Sequence, residues 1–303
     1  ANIKNEPGKC IYTHMLNPDG GIETDLTVVC VESNHFRIIS SAATRERDKF
    51  HIKRYLSKDI ELKDITDDLV VFGLFGPKSR DLIKTISKDN FDNDGFKFST
   101  GKYITIEDVK IWAQRLSYVG ELGYELYVDI KYAKKIYELL IEKGKDFNLS
   151  NCGMHAMDIM RMESGFLHWG HDISPEENQY QAGLSFTISK KKDVDFIGKQ
   201  ALEKIKKEKI KNKFAMFTLK ESEPGKPLLL HDEPIYIDDK IIGRSTSGNY
   251  SFNFKKNLIF GYIQNDFTDD ELQSKNLFIE VEKKKYPISI HLDPLKQTNF
   301  KNL

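Results

Sequence analysis

A carboxylate stands inside an otherwise apolar strand pattern in the segment YVGELGYELYV, residues 118–128. Strand alternation places Glu125 on the same face as Gly123 and Tyr127. A glutamate in this position either faces water or lines the floor of a ligand pocket, where the glycine permits close approach of a ligand. The spacing by itself favours the solvent-facing interpretation.

A second carboxylate, Asp25, lies within the strand-like segment GGIETDLTVV. Aspartate is disfavoured in strands, so its presence needs a reason. By alternation Asp25 shares a face with Thr27 and Val29. An exposed edge position is the simpler interpretation. In a cleft, the carboxylate could orient a reacting amine or accept its proton.

Histidines and an arginine cluster in MHAMDIMRMESGFLHWGHDI, residues 154–173. His168 and His171 are three positions apart, but Gly170 disfavours a continuous helix between them, and HExxH is absent from the sequence. We therefore expect no metal site. Arg161 lies on a predicted helix, where an arginine usually faces water but can also bind a carboxylate or a ring carbonyl.

Several common catalytic motifs are missing from the sequence. GxGxxG after a strand, GxxxxGK[ST] and GxSxG are all absent, so a complete dinucleotide-binding, P-loop or α/β-hydrolase domain is unsupported. The lysine run at 204–213 is interpreted as a solvated helix face. It would attract an anionic group only at the rim of a pocket.

Composition bounds the possible functions. The 303 residues are 39% apolar, which suffices for two or three domains. Lys+Arg and Asp+Glu balance at 46 each, so no overall field points to nucleic acid or a membrane. No apolar run reaches the roughly 20 residues of a membrane span, and no secretory leader opens the chain. Cys10, Cys30 and Cys152 form no CxxC pair, which favours unpaired thiols in a reduced compartment.

Strands and helices alternate along the first 164 residues. Hydrophobic periodicity, turn residues and cap residues set the expected boundaries. The predicted strands are 10–16, 24–31, 35–41, 68–75, 102–106, 109–117 and 123–128. The predicted helices are 44–56, 77–86, 131–143 and 154–164.

The pattern changes after about residue 205. A basic helix is predicted over ALEKIKKEKIKNK, residues 201–213. Short apolar segments separated by turn residues follow, which is typical of a compact β-barrel or sandwich. These segments are FAMFTL, PIYI, KIIGRST, LIFGYI, LFIEVE and YPISIHL.

Six segments in collinear order resemble the aminomethyltransferase (glycine cleavage T-protein) family. GELGYELY, GHDI and DFIGKQAL are most similar to the folate-binding C-terminal region of sarcosine and dimethylglycine dehydrogenases. The six segments are YTHMLNPDGGIETDLTV, LFGPKSR, SYVGELGYELYV, AMDIMRMESGFLHWGHDI, DFIGKQAL and STSGNYSFNFKKNLIFGYI.

The resemblance implies an α+β fold, a three-domain cloverleaf of two α+β domains and a C-terminal β-barrel around a tetrahydrofolate site. On this basis residues 1–60 belong to the second domain, 61–200 to the first and 201–303 to the barrel. The family has a further N-terminal segment, so we expect this chain to be the N-terminally truncated end of a longer protein. In the dehydrogenases an FAD domain lies upstream.

The resemblance also implies roles for individual residues. Glu125 matches the glutamate that hydrogen-bonds the pterin ring, whose adjacent N–H groups suit an ionised carboxylate. Asp25 matches the catalytic aspartate, which lies near folate N10, orients the reacting amine and manages its proton. The other cofactor-binding residues that it implies are Tyr12, Thr27, Tyr118 and Arg161.

The implied reaction is one-carbon transfer. In the dehydrogenase branch, flavin oxidises an N-methyl amine to an iminium and tetrahydrofolate captures its carbon as 5,10-methylenetetrahydrofolate. Holding both partners in one cavity makes the capture nearly unimolecular. The expected partners are folate, the N-methyl amine and the upstream FAD domain, without nucleic acid or membrane. We expect the bacterial cytoplasm, or the mitochondrial matrix for a eukaryotic source.

Two alternatives remain open. The chain could be a stand-alone aminomethyltransferase or folate-dependent demethylase of the same fold. It could also be a non-catalytic folate-binding protein, whose relatives carry a KGCYxGQE motif. The corresponding region here reads DVDFIGKQAL without cysteine, and Asp25 is retained, which argues against the non-catalytic alternative.

Overall fold

The computed structural model describes residues 1–3, 6–189, 195–297 and 300–303. The chain forms two compact units. Residues 3–13, 26–152 and 298–303 make up the sheet unit, and residues 1–2, 14–25 and 153–297 make up the barrel unit. No helix in the described part of the chain has the length and apolar character needed to cross a membrane.

The first half of the chain contains both strands and helices. Its strands are β1 (Cys10–Leu16), β2 (Ile22–Glu32), β3 (His35–Ile39), β4 (Leu69–Phe75), β5 (Thr100–Ile106), β6 (Val109–Arg115) and β7 (Gly123–Asp129). Its α-helices are α1 (Arg45–Tyr55), α2 (Ser79–Ile86) and α3 (Ile130–Gly144). Short 3-10 turns occupy Ala42–Thr44, Thr66–Asp68 and Lys145–Phe147.

The second half is mainly β-structure. Its strands are β8 (Asn212–Leu219), β9 (Pro234–Ile237), β10 (Lys240–Ser251), β11 (Lys256–Gln264), β12 (Leu277–Val281) and β13 (Lys284–His291). Its helices are α4 (Met154–Glu163), the 3-10 turn Ser185–Thr187, α5 (Lys199–Ile205) and α6 (Asp269–Ser274).

A four-stranded antiparallel sheet in the order β4-β7-β6-β5 organises the sheet unit. One face carries Tyr124, Leu126 and Val128, which are fully buried in the main core of the unit. Helix α3 adds Ile136 and Leu140 to that core. The opposite face carries Gly123, Glu125 and Tyr127, as strand alternation predicts.

Helix α3 begins and ends for local reasons. The Asp129 side chain caps it by accepting a hydrogen bond from the Lys131 amide at 3.0 Å. The helix ends at Gly144, the stop that the sequence predicts. The spacing of Ile136 and Leu140 turns one stripe of the helix toward the sheet.

A second sheet has the strand order β1-β2-β3, and its first two strands contribute to both units. In the sheet unit, Cys10 and Val29 pack with Trp112 and Tyr127 in one apolar cluster. The β2–β3 register shifts between Cys30 and Glu32, after the ladder has passed Val29. The face of the four-stranded sheet that bears Glu125 is therefore partly covered by this second layer.

The barrel unit contains a closed antiparallel barrel in the order β10-β11-β8-β13-β12-β9. Alternating apolar residues fill its interior, with Phe217, Ile259 and Ile279 almost fully buried. Helix α4 packs on the barrel through Ile159 and Met162. The predicted C-terminal barrel is confirmed.

A buried ion pair connects α4 to its surroundings in the barrel unit. Arg161 is 1% exposed, and its Nη1 atom donates to Asp172 at 2.5 Å. The other Asp172 oxygen accepts from Thr246 at 2.6 Å and from Ser247 at 2.8 Å. Because every charge here has partners, the desolvation of the pair is compensated.

Most predicted elements are confirmed with boundary shifts of a few residues, but the predicted helix over residues 201–213 is wrong at its C-terminal end. Helix α5 stops at Ile205, and the chain enters β8 at Asn212. Asn212 and Lys213 pair with Gln264 and Ile263 of β11. Barrel closure therefore overrides the helix propensity of the lysine-rich segment, because each strand position gains a ladder partner.

The buried ion pair predicts a stability difference between two aspartates of the barrel unit. Asp172→Asn keeps the shape of the side chain but removes the charge facing Arg161. We expect the free energy of unfolding to fall by about 3 kcal/mol, because a buried guanidinium loses its counterion. Urea unfolding followed by circular dichroism measures the change.

Asp232→Asn is the matched control, because Asp232 pairs with Arg244 at the surface, where the two side chains are 54% and 55% exposed. There the same substitution should cost less than about 1 kcal/mol. Equal losses for the two variants would show that the buried pair adds nothing beyond a surface pair.

Candidate functional site

Glu125 lies in the middle of β7 and is half-buried. Its Oε2 atom accepts a hydrogen bond from the Tyr127 hydroxyl at 2.6 Å. Two residues separate them, so both side chains project from the same face of the strand. The glutamate is therefore not the fully solvated strand residue that spacing alone favours.

A row of four residues crosses the sheet at the level of Glu125. Glu125 pairs with Gly73 of β4 on one side and with Gln114 of β6 on the other. Gln114 in turn pairs with Gly101 of β5. Because directly paired residues share a face, the two polar side chains are flanked on both sides by glycines.

Aromatic rings fill the space above both glycines. A Cβ atom added at Gly73 would lie 2.5 Å from the ring of Phe75, and one added at Gly101 would lie 2.7 Å from the ring of Trp112. Any side chain at either position would push an aromatic ring aside. Glu125 and Gln114 are thus a polar pair packed between aromatic rings.

The second sheet contributes one polar group to this row. The Cys10 thiol lies 3.7 Å from Oε1 of Gln114, within the distance of a weak sulfur hydrogen bond. Cys10 and Gln114 are both almost fully buried. The Gln114 side chain thus contacts Cys10 of the second sheet, while its backbone pairs within its own sheet.

Burial dominates the electrostatics of the cluster. Burial raises the pKa of Glu125, and the Tyr127 hydrogen bond opposes this by lowering it. Burial, followed by the nearby Glu125 carboxylate, raises the pKa of the Cys10 thiol to about 12. Burial and the same carboxylate also raise the pKa of Tyr127, which remains a hydrogen-bond donor at neutral pH.

Arg37 of β3 places a cation against this cluster. Its guanidinium carbon lies 5.6 Å from the ring centroids of both Trp112 and Tyr127. Burial lowers the pKa of Arg37. Buried nitrogens of Arg37, Trp112 and Gln114 lack an acceptor among the described residues. The layer therefore holds more donors than acceptors, which suits water or a ligand with acceptor atoms.

Tyr12, Thr27 and Tyr118 belong to the sheet unit, like Glu125. By alternation Tyr12 shares a face of β1 with Cys10, and Thr27 shares a face of β2 with Val29. Tyr12 is 39% exposed, and Thr27 and Tyr118 are half-buried. These three predicted binding residues thus lie in the same unit as Glu125. Their contact with a ligand stays a prediction.

Asp25 belongs to the barrel unit and lies in β2, half-buried. Strand alternation gives it the same face of β2 as Thr27. Its predicted catalytic role is compatible with this placement, because a half-buried carboxylate can still reach a substrate. The role itself stays a prediction.

Arg161 also belongs to the barrel unit, where its three nitrogens are engaged by protein acceptors. Nε donates to Asp158 at 2.9 Å, and Nη2 donates to Ser247 at 2.8 Å. Nη1 is shared between Asp172 and the Phe166 carbonyl. These contacts favour a structural role for Arg161, which is buried and does not face water. Its predicted part in cofactor binding stays a prediction.

The histidines of the same segment do not assemble a metal centre. The rings of His168 and His171 stack with centroids 4.6 Å apart. In the described ranges, no group of three or more His, Cys, Asp or Glu side chains is placed to hold a metal ion. Burial, followed by the charge of His171, lowers the pKa of His168, which favours its neutral form.

Gln114 and Arg37 were not identified from the sequence as members of the site. A signal for Gln114 was present, since it alternates with Trp112 in the strand segment KIWAQRL and so shares its buried face. Arg37 carried no such signal. Only the packing of β3 over Trp112 and Tyr127 identifies it.

Residues 1–192 match the family model described as "GCVT N-terminal domain", and residues 212–296 match "Glycine cleavage T-protein C-terminal barrel domain". A crystal structure of glycine cleavage system aminomethyltransferase T from Bartonella henselae superposes with a TM-score of 0.81 at 22% identity. The superposition covers 96% of this chain and 77% of the Bartonella henselae chain. This likeness confirms the predicted α+β fold of T-protein type.

The curated relatives include dehydrogenases and aminomethyltransferases. The chain is 32% identical over 301 residues to dimethylglycine dehydrogenase, mitochondrial, from Homo sapiens, covering 98% of this chain and 34% of the relative. It is 33% identical over 260 residues to aminomethyltransferase from Halothermothrix orenii, covering 86% of this chain and 71% of the relative. The chain therefore spans about a third of the length of the dehydrogenase that it matches.

The raised thiol pKa predicts a strong difference in cysteine reactivity. At pH 8 a pKa of about 12 leaves only about one Cys10 thiol in 10⁴ ionised. Iodoacetamide should modify the exposed Cys152 and leave the buried Cys10 and Cys30 intact. Peptide mass spectrometry after timed quenching measures each site.

A sample unfolded in urea is the control and should be modified at all three cysteines at similar rates. Modification of Cys10 in the native protein as fast as Cys152 would mean that the two-layer packing around Gln114 is open.

Proposed function

We propose, from the premise that this chain belongs to the glycine cleavage T-protein family, that it is a folate-dependent one-carbon-transfer protein of the aminomethyltransferase type. Family membership supports the reaction class. The roles of individual residues and the identity of the one-carbon donor go further and are proposals. The observation that carries the proposal is the half-buried Glu125 in its glycine-flanked row.

The residues around Glu125 fit a pterin ring. Among the residues that the structure describes, Tyr127 is the hydrogen-bond donor to the Glu125 carboxylate, on Oε2, so Oε1 can accept N–H donors of a ligand. The rings of Phe75 and Trp112 lie over Gly73 and Gly101 on either side of the polar pair, and Tyr12 and Tyr118 supply aromatic surface in the same unit. We propose that Glu125 binds the pterin N–H groups with charge assistance.

Asp25 is the proposed catalytic group. When bound, tetrahydrofolate supplies the nitrogen that accepts the one-carbon unit. We propose that the Asp25 carboxylate orients the reacting amine, holds the proton that the amine releases and stabilises positive charge as it develops. Thr27 lies on the same face of β2 and is proposed to bind the cofactor.

The finer proposal is that the chain is the folate-binding region of an FAD-dependent N-methylglycine (sarcosine or dimethylglycine) dehydrogenase. Its support is the match over 98% of this chain to a mitochondrial dehydrogenase. In that setting, FAD bound by another part of the protein would oxidise the N-methyl amine, and this chain would receive the carbon. The bacterial cytoplasm and the mitochondrial matrix are both compatible with such a role.

A stand-alone aminomethyltransferase is the second candidate. It is favoured by the match to the Halothermothrix orenii enzyme, of which the aligned region covers 71%. The absorption spectrum of the complete gene product separates the candidates. Flavin bands that bleach on addition of sarcosine or dimethylglycine support the dehydrogenase, whereas a colourless protein that turns over a lipoyl-bound aminomethyl donor supports the transferase.

Glu125→Gln tests the proposed pterin contact. We expect the affinity of the complete gene product for tetrahydrofolate to fall by about 1.5–3 kcal/mol, because a charge-assisted hydrogen bond becomes a neutral one. Isothermal titration calorimetry measures it. Since the pKa of Glu125 is raised by burial, wild-type affinity should also decrease as the pH falls through that raised value.

Glu142→Gln is the control, because Glu142 is exposed on α3 in the same unit. The Glu125 variant should be at least as stable as the wild type, since burial penalises the charge that it removes. Unchanged affinity in a stable Glu125 variant would remove Glu125 from the folate site.

Asp25→Asn tests the proposed proton role. We expect folate affinity to be preserved while single-turnover formation of 5,10-methylenetetrahydrofolate slows by about a hundredfold or more. Rapid-quench measurements at saturating folate give the rate. Asp19→Asn, at an exposed turn of the same unit, should leave the rate unchanged. Equal rates in the Asp25 variant and the wild type would exclude Asp25 from the mechanism.

A further inference from the structure

Tyr127 forms a hydrogen bond with the proposed pterin-binding carboxylate, and neighbouring strands hold its backbone on both sides. Its hydroxyl donates to Oε2 of Glu125 at 2.6 Å, the short distance typical of a bond to a charged acceptor. Backbone pairing sets the position of Tyr127 between Val71 of β4 and Trp112 of β6. The tyrosine therefore approaches Glu125 from a rigid strand.

The Tyr127 ring has little freedom to move. It is 5% exposed and packs in the apolar cluster with Cys10, Val29 and Trp112. The guanidinium of Arg37 lies 5.6 Å from the ring centroid. Because the ring is held, the direction in which its hydroxyl points is determined before any ligand binds.

We propose that Tyr127 is a positioning residue for the pterin site, holding Oε2 of Glu125 so that Oε1 is presented to the N–H groups of the ligand. This inference rests on the proposed function, since it assigns Tyr127 a task only if Glu125 binds folate. A carboxylate without such a partner could rotate about its last side-chain bond and lose the alignment of its oxygens.

The same bond controls the charge of Glu125. The hydroxyl stabilises the ionised carboxylate and so counteracts desolvation, which favours the protonated form. The other groups facing this layer are the Cys10 thiol from β1, the Gln114 amide from β6 and the Arg37 guanidinium from β3. The thiol is neutral at physiological pH because burial raises its pKa to about 12, and the Arg37 guanidinium lies against the Tyr127 ring.

Tyr124 provides an internal comparison on the same strand. It is fully buried on the opposite face, in the core that contains Phe91 and Phe96. Within the described part of the chain its hydroxyl finds no hydrogen-bond partner. Removing either hydroxyl is therefore the same chemical change in the same strand, but only the Tyr127 hydroxyl touches Glu125.

The test compares Tyr127→Phe with Tyr124→Phe in the complete gene product. Glutamate labelled with ¹³C at the side-chain carboxyl is titrated by NMR without folate, and the Glu125 resonance is assigned by its absence in Glu125→Gln. Removal of a donor to the charged form should move the Glu125 midpoint to higher pH by about one unit or more. Tyr124→Phe should leave that midpoint unchanged.

Calorimetry with tetrahydrofolate gives the second readout. Affinity should fall about tenfold or more in Tyr127→Phe and remain at the wild-type level in Tyr124→Phe. Because the carboxylate is protonated at a higher pH in Tyr127→Phe, its affinity should also be lost at a higher pH than in the wild type. Thermal melts confirm that both variants fold.

Should Tyr127→Phe not fold, 3-fluorotyrosine at position 127 keeps the shape and the bond. Its more acidic hydroxyl should move the Glu125 midpoint to lower pH. An unchanged midpoint with an unchanged folate affinity in a folded Tyr127 variant overturns the positioning role alone. Absence of folate binding in the wild type instead overturns the proposed function, and the assignment of Tyr127 with it.

Discussion

The antiparallel register between β6 and β7 is the constraint on which the candidate site depends. It pairs Gln114 with Glu125 and Trp112 with Tyr127, so that two polar and two aromatic side chains share one face of the sheet. A shift of β7 by one residue would turn Glu125 and Tyr127 into the helix-covered core. That core already holds Tyr124 and its apolar neighbours, so the register is strongly specified.

The network around Arg161 and the layer around Glu125 differ in how far protein partners satisfy their buried polar groups. In the barrel unit, Arg161 and Asp172 are surrounded by hydroxyls and carboxylates that satisfy them, which ties α4 to the barrel. In the layer around Glu125, donors of Gln114 and Trp112 lack acceptors among the described residues. Satisfied networks contribute specificity to a fold, whereas unsatisfied groups mark places where a ligand or water completes the bonding.

The sequence predicted the elements well wherever a local rule governs them. Alternation alone separates the Tyr124 face of β7 from the Glu125 face. Helix α3 ends at Gly144, but a 3-10 turn follows and the left-handed residue after it is Asn148. Collinear motifs were sufficient for the family, because each combines glycines and charged residues in a fixed order. The lysine-rich segment failed because its helix propensity competes with strand pairing at Asn212, a contact between positions far apart in the chain.

By itself the sequence determined most of the secondary structure, the C-terminal barrel and the placement of Glu125 and Asp25 in strands, since periodicity, turn chemistry and motif order are local properties of a chain. Only the tertiary structure decided what surrounds them. Spacing favoured a solvated Glu125, but the second sheet partly covers it and adds Cys10 and Arg37. From its helix alone Arg161 could face water or bind a carboxylate, and the structure buries it against Asp172. Burial and hydrogen-bond partners arise from packing between distant segments, which no local pattern encodes.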